Sequence, residues 1–143
     1  KRQWPYKLVI EIEEQTPIFR WNQKHLLNKY GQVFSARSSE SFAHRPDIRG
    51  ESGRALYLAS LYQEYNHQFA ELGIAINALH EDARYDKVMT LSNGVRINMG
   101  RGDVEQQMQH CLRTLALLST QERAAIATID LRHSNGLAIS WNS

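Results

Sequence analysis

The chain has 143 residues, 42% of them hydrophobic and 22% charged, a balance that excludes a disordered chain and suits one compact domain or a domain with a fragment of a neighbour. Lys and Arg (17) exceed Asp and Glu (15) by two, and the basic residues are scattered, so the electrostatic footprint of a nucleic-acid or anionic-lipid binder is missing. A single cysteine, Cys111, rules out an internal disulfide and the thiolate zinc patterns, and no apolar run approaches the roughly 18 to 20 residues of a bilayer span. The chain opens on Lys1 with no signal-peptide pattern, so it reads as a piece of a longer protein whose targeting segments lie elsewhere.

Leu8, Ile10 and Ile12 alternate with Val9, Glu11 and Glu13, the period of a strand with one polar face, and Pro17 interrupts it. Ile18 to Trp21 resumes an extended run, and Leu26 to Phe34 reads as two short strands about a turn at Gly31. Residues 35 to 53 lack periodicity and read as a long loop. Leu58, Tyr62, Tyr65, Phe69 and Leu72 recur at spacings of four and three, which predicts a helix stopping at Gly73. Ile74, Ile76 and Ala78 return to period two. Val88 to Leu91 and Val95 to Met99 flank Asn93-Gly94, which predicts a hairpin with a two-residue turn. Asp103, with Gln106 three positions on, predicts the capped start of a second helix whose buried stripe is Met108, Cys111, Leu112, Leu115 and Leu118. A polar segment, Ser119 to Arg123, leads to a last hairpin, Ala127 to His133 and Leu137 to Trp141, turning at Asn135-Gly136. The order predicts an α+β fold: a mostly antiparallel sheet, two main helices on one face, and a C-terminal hairpin ending in an edge strand.

Chemistry-bearing patterns are sparse. The six histidines never stand at the spacing that aims two imidazoles at one metal, and no elbow or phosphate-loop motif is present, so neither metal nor cofactor nor enzymatic activity is expected. Cys111 falls on the apolar stripe of its helix and reads as core. Gly100-Arg101-Gly102-Asp103 reads as a strand-to-helix turn, and Glu11 and Glu13 as a solvated face. The C-terminal hairpin stands apart. A two-residue turn would pair Ser134 with Leu137 and Arg132 with Ile139, placing Arg132, Leu137, Ile139 and Trp141 on one face and Leu131, His133, Ala138 and Ser140 on the other. Were Leu137 to Trp141 the last strand of the sheet, its outer N–H and C=O groups would form a template for a strand of another protein, with Trp141 as an anchor.

Arg2-Gln3-Trp4-Pro5, Leu8-Val9-Ile10, Glu14, Pro17-Ile18 and Arg20-Trp21-Asn22, then Asn98 to Asp103, then Ile129 to Gly136 and on to Trp141, resemble the FtsQ/DivIB cell-division proteins in order and spacing. The resemblance implies residues 1–15 as the C-terminal remnant of a POTRA domain and residues 16–143 as the β domain of a non-enzymatic scaffold. It implies the periplasmic face of the bacterial inner membrane, with one transmembrane helix outside this chain. The implied partners are FtsB and FtsL, FtsB adding a strand at Leu137 to Trp141; a weak homodimer through the same strand, or a POTRA-linked chaperone module, would use the same edge. The implied contacts are Arg84, Arg132, His133, Ser134, Asn135, Gly136, Leu137, Ile139 and Trp141, the arginines receiving acidic residues. His133 stands where the family favours tyrosine and Ser140 where glycine or arginine is frequent, so the contact at His133 is expected to be pH-sensitive.

Overall fold

The computed structural model describes residues 18–35, 45–133 and 136–142. The strand expected over Leu8 to Glu13 and the remnant expected at 1–15 lie outside them. The described residues form one nine-stranded sheet in the order β3-β2-β1-β4-β5-β6-β7-β8-β9. The strands are β1 Ile18–Trp21, β2 His25–Asn28, β3 Val33–Ser35, β4 Asp47–Arg49, β5 Ile76–Glu81, β6 Lys87–Leu91, β7 Arg96–Gly100, β8 Ile126–Asp130 and β9 Ala138–Trp141. The helices are α1 Ala55–Ala70, α2 Glu105–Ala116 and the short α3 Thr120–Ala124. The α+β expectation holds, but the sheet is mixed: β1 with β4, β4 with β5 and β7 with β8 pair parallel.

One row of cross-strand partners explains the register. Trp21 faces Ile48, Ile48 faces Leu79, Leu79 faces Met89, Met89 faces Ile97, Ile97 faces Ile129 and Ile129 faces Ile139. All but Ile139 are buried. Because strand side chains alternate between faces, this row commits one whole face to the core and leaves the other, apart from the buried Leu26, polar or half-buried. The helices cover the apolar face. α1 is the crossover between parallel β4 and β5, and α2 with α3 the crossover between parallel β7 and β8; right-handed crossovers advancing in the same direction along a sheet land on the same side. The stripe Leu58, Tyr62, Tyr65 and Phe69 is buried as its spacing predicts, as are Met108, Cys111 and Leu115 of α2. Burying Phe69, fully covered, contributes about 2 to 3 kcal/mol. The Tyr65 hydroxyl donates to Glu105 Oε1 at 2.9 Å and joins α1 to α2.

Several local expectations are corrected. The long loop contains β4, whose single apolar residue, Ile48, is fully buried yet too brief to show a period. The hairpin after β6 turns through three residues: Leu91 N–H donates to Val95 C=O at 2.9 Å, and only Gly94 takes a positive φ, at 93°. An irregularity between Ile76 and Ala78 shifts the phase of β5, so that Leu79 rather than Ala78 joins the core. The second helix opens with Val104 in the N-cap position; Asp103 accepts from Glu105 N–H at 3.0 Å, without the expected Gln106 pairing. The polar segment is α3, with Ser119 and Glu122 forming a full capping box.

Candidate partner-binding site

β8 ends at Asp130 because its carboxylate turns the chain away. Asp130 Oδ1 accepts from Arg132 N–H and from Arg132 Nε, both at 2.9 Å, and Oδ2 from Arg132 Nη2 at 2.8 Å. This fork holds the Asp130 carboxyl down at about 2. Leu131 N–H meanwhile donates to Asn98 C=O at 2.9 Å, tying the exit of β8 to β7. The Arg132 stem lies across Gly100, where a Cβ would come within 2.9 Å of its Cγ, so the glycine at φ 73° makes room for it. His133 Nε2 stands 3.9 Å from Asp130 Oδ2.

The register of the last hairpin therefore differs from the one expected. Ile139 faces Ile129, Ala138 faces Asp130 and Ser140 faces Thr128, with an irregularity before Ile126 faces Trp141. Arg132 does not pair with Ile139. Ser134 and Asn135 lie outside the described residues, and Gly136 takes φ 145° in the connection, which is longer than two residues. The reason is the apolar row: only this register sets Ile139 against the buried Ile129, whereas the shorter turn would have set it against an arginine. Leu137 and Ile139 pack on the core, Trp141 is 52% exposed, and Thr128 Oγ1 donates to Ser140 Oγ on the far face.

Asn142 N–H donates to Ala125 C=O at 2.7 Å. In an antiparallel pair alternate residues point their N–H groups across the ladder, which turns those of Ile139 and Trp141 away from β8. Among the described residues, β9 pairs with β8 alone and stands last in the strand order.

Arg84 sits apart from this segment, exposed in the hairpin between β5 and β6, its N–H donating to Asp82 Oδ1 at 2.9 Å. Strand polarity nevertheless puts that hairpin at the same end of the sheet as Arg132 and the start of β9. Trp141 stands at the opposite end of β9. The candidate residues thus form a strand with a basic extension rather than one pocket. An open groove of about 540 Å³ runs along the exposed side of α2 past Gln106, His110 and Arg113 to Gly136; among its described lining residues are neither Asp130 nor His133. No cluster of three or more metal-ligating side chains occurs among the described residues.

A family model described as "Cell division protein FtsQ/DivIB, C-terminal" matches residues 19–132. The chain belongs to the FtsQ/DivIB family. Among its relatives named Cell division protein FtsQ, that of Thioalkalivibrio sp. (strain K90mix) is 30% identical over 141 residues, 99% of this chain and 59% of the relative. That of Shewanella oneidensis is 32% identical over 141 residues, 99% of this chain and 53% of the relative. That of Escherichia coli is 29% identical over 147 residues, covering 99% and 52%. The chain thus spans about half the length of the FtsQ proteins it matches. No helix among the described residues is long and apolar enough to cross a membrane.

Beside the FtsQ-like strand, sequence reasoning missed a charged cluster at the same end of the sheet. The Glu81 side chain is fully buried and accepts from Arg54 Nε at 2.9 Å and Nη2 at 2.8 Å, with Lys87 Nζ 3.8 Å away. Burial pulls the Lys87 ammonium below its ordinary range, against the attraction of Glu81. The Arg54 guanidinium stacks 4.3 Å from the Tyr57 ring and 4.7 Å from the Tyr85 ring. The signal was present. Glu81 stands in phase with Leu79, and Lys87 with Met89 and Leu91, charges at positions where the alternation demands apolar residues.

Proposed function

We propose that this chain is the partner-binding domain of a bacterial cell-division scaffold that takes a strand of FtsB, from the FtsB–FtsL pair, onto the outer side of β9. The observation that carries this reading is β9 itself: last in the strand order, paired on one side, with the Ile139 and Trp141 amides turned outward and a half-exposed indole beside them. Main-chain bonds supply affinity, and side chains supply register and selectivity. Trp141 anchors the guest. Arg132, held by Asp130 yet with more than half its side chain exposed, offers its outer edge to an acidic residue, and Arg84 offers a second. His133 makes the aromatic contact, and Ser134, Asn135 and Gly136 shape the adjoining turn.

In this reading residues 1–15 close a POTRA domain and 16–143 form the β domain. The full protein is anchored by one transmembrane helix outside this chain and displays the domain in the periplasm as a non-enzymatic scaffold. Without FtsB, the same row pairs two copies weakly.

Ile139→Pro tests it. The substitution removes an outward N–H and leaves the ladder to β8 intact, so the variant should fold and fail to bind the periplasmic segment of FtsB in a titration. Undiminished binding by the folded variant refutes strand addition. Equal binding of many unrelated extended peptides by the unaltered chain would replace the scaffold with a chaperone.

A further inference from the structure

The sheet has a second open side. Among the described residues β3 pairs with β2 alone and stands first in the strand order. Asn28 N–H donates to Gln32 C=O at 3.1 Å, and Phe34, two positions on from Gln32, faces Leu26. The alternation of an antiparallel ladder therefore turns the Phe34 backbone toward β2 and directs the N–H and C=O groups of Val33 and Ser35 outward. Nothing blunts this edge: it carries no proline, charge or bulge, the devices that protect exposed strands. It displays apolar side chains on both faces instead, Val33 on the side of the helices and Phe34 on the far side, both exposed.

The turn before β3 is held rigid beside it. Asn28 Oδ1 accepts from Tyr30 N–H at 2.9 Å and from Gln32 N–H at 3.0 Å. Gly31, at φ 83°, lies against the start of α1, where a Cβ would come within 2.7 Å of Leu56 Cβ. The exposed Tyr30 ring and the exposed Leu56 thus stand with Val33 at one corner, ordered before any partner arrives. The charge around this corner has one sign. From Ile18 to Ser35 the chain carries Arg20, Lys24 and Lys29 and no Asp or Glu, and neither Lys24 nor Lys29 forms an ion pair among the described residues. Lys24 precedes β2 and Lys29 follows it, with the Lys29 ammonium 5.3 Å from the centre of the Tyr30 ring.

We propose that β3 is a docking edge for an acidic, extended segment of another protein, which pairs with the backbone of Val33 and Ser35, lays an apolar side chain against Tyr30, Val33 and Leu56, and sets carboxylates toward Lys24 and Lys29. The two lysines bracket the four-residue β2, about 13 Å, so the carboxylates stand roughly four to five residues apart in the guest. A second copy of this chain is the wrong partner, because it would bring two flaps of cations together. A lipid headgroup would meet the lysines but leave the backbone row unused. The site is independent of strand addition at β9.

The probes are a short peptide of alternating threonine and valine with a glutamate at each end, and its counterpart with a lysine at each end. On titration the acidic peptide should shift the Val33 and Ser35 amide resonances, and the basic one should not. The double variant Lys24→Glu, Lys29→Glu should bind the acidic peptide about tenfold more weakly and accept the basic peptide in its place. Ser35→Pro removes an outward N–H without touching the ladder to β2, so the folded variant should lose the peptide. Ile139→Pro, at the other side of the sheet, should leave the shifts unchanged. Unperturbed Val33 and Ser35 amides in the unaltered chain overturn the docking edge, as does undiminished binding by folded Ser35→Pro. Phosphatidylglycerol vesicles that retain the chain through Lys24 and Lys29, when the acidic peptide does not bind, overturn it in favour of a membrane contact.

Discussion

Trp141→Ala separates a binding anchor from a packing residue. The indole is 52% exposed. Of a ring surface of about 250 Å², about 130 Å² remains for a partner to cover, which at about 25 cal/mol per Å² corresponds to about 3 kcal/mol. Association returns less than the covered area implies, so the expected loss is about 2 kcal/mol or more, roughly 30-fold in Kd. The other half of the ring already lies on the domain beside Ile126, so truncation also lowers stability, and affinity must be measured well below the melting temperature. The assay is calorimetric titration with the FtsB segment, with circular dichroism confirming the fold. Tyr30→Ala is the control: Tyr30 is 63% exposed in the turn between β2 and β3, at the other end of the strand order, and should leave affinity unchanged. A folded Trp141→Ala chain binding within twofold of the unaltered one refutes the anchor.

Glu81→Ala should cost about 3 kcal/mol in chemical denaturation, because it strands the buried Lys87 ammonium without its counter-charge; a loss below about 1 kcal/mol would show the cluster to be solvated. Burial pushes the Cys111 thiol up to about 12, so a thiol reagent should modify it only on unfolding, and rapid reaction at pH 8 would contradict its place in the core. The Asp130 carboxyl is lower in the folded than in the unfolded state; its contribution is therefore complete above about pH 4 and lost as the pH falls toward 2. Asp130→Asn should flatten the stability profile across that window, and an unaltered acid limb would show the fork with Arg132 to contribute nothing.

Elements with an apolar period longer than a turn were legible. Leu58 to Phe69 announces α1 because four large side chains repeat on one stripe, and Met108 to Leu115 announces α2 in the same way. The three-residue β4 carries one apolar side chain and owes its place to neighbours distant in the chain, Trp21 and Leu79, which no local pattern reveals. α3 could have been read from Ser119 and Glu122, since a capping box is a local signal. The candidate strand was found, and Leu137 and Ile139 pack on the core together, but its register depended on Asp130 folding back Arg132, a side-chain bond that turn rules do not contain. The positive φ of Tyr85, at 69°, was not legible either, because no residue rule marks a tyrosine for the position that Gly31 and Gly94 hold in the other three-residue turns.

The brevity of β4 divides the molecule mechanically. Among the described residues it is the strand through which β1 to β3 join β5 to β9, and it meets β1 through Arg20 with Asp47 and Trp21 with Ile48. In the backbone ladder such a seam is the narrowest join, and what holds β1 to β3 across it is packing on α1, where the Phe19 ring meets Tyr62 at 5.0 Å. Amide exchange should accordingly sort the sheet into a fast block and a slow block meeting at Ile48, leaving the recognition half insulated from whatever pulls on the other.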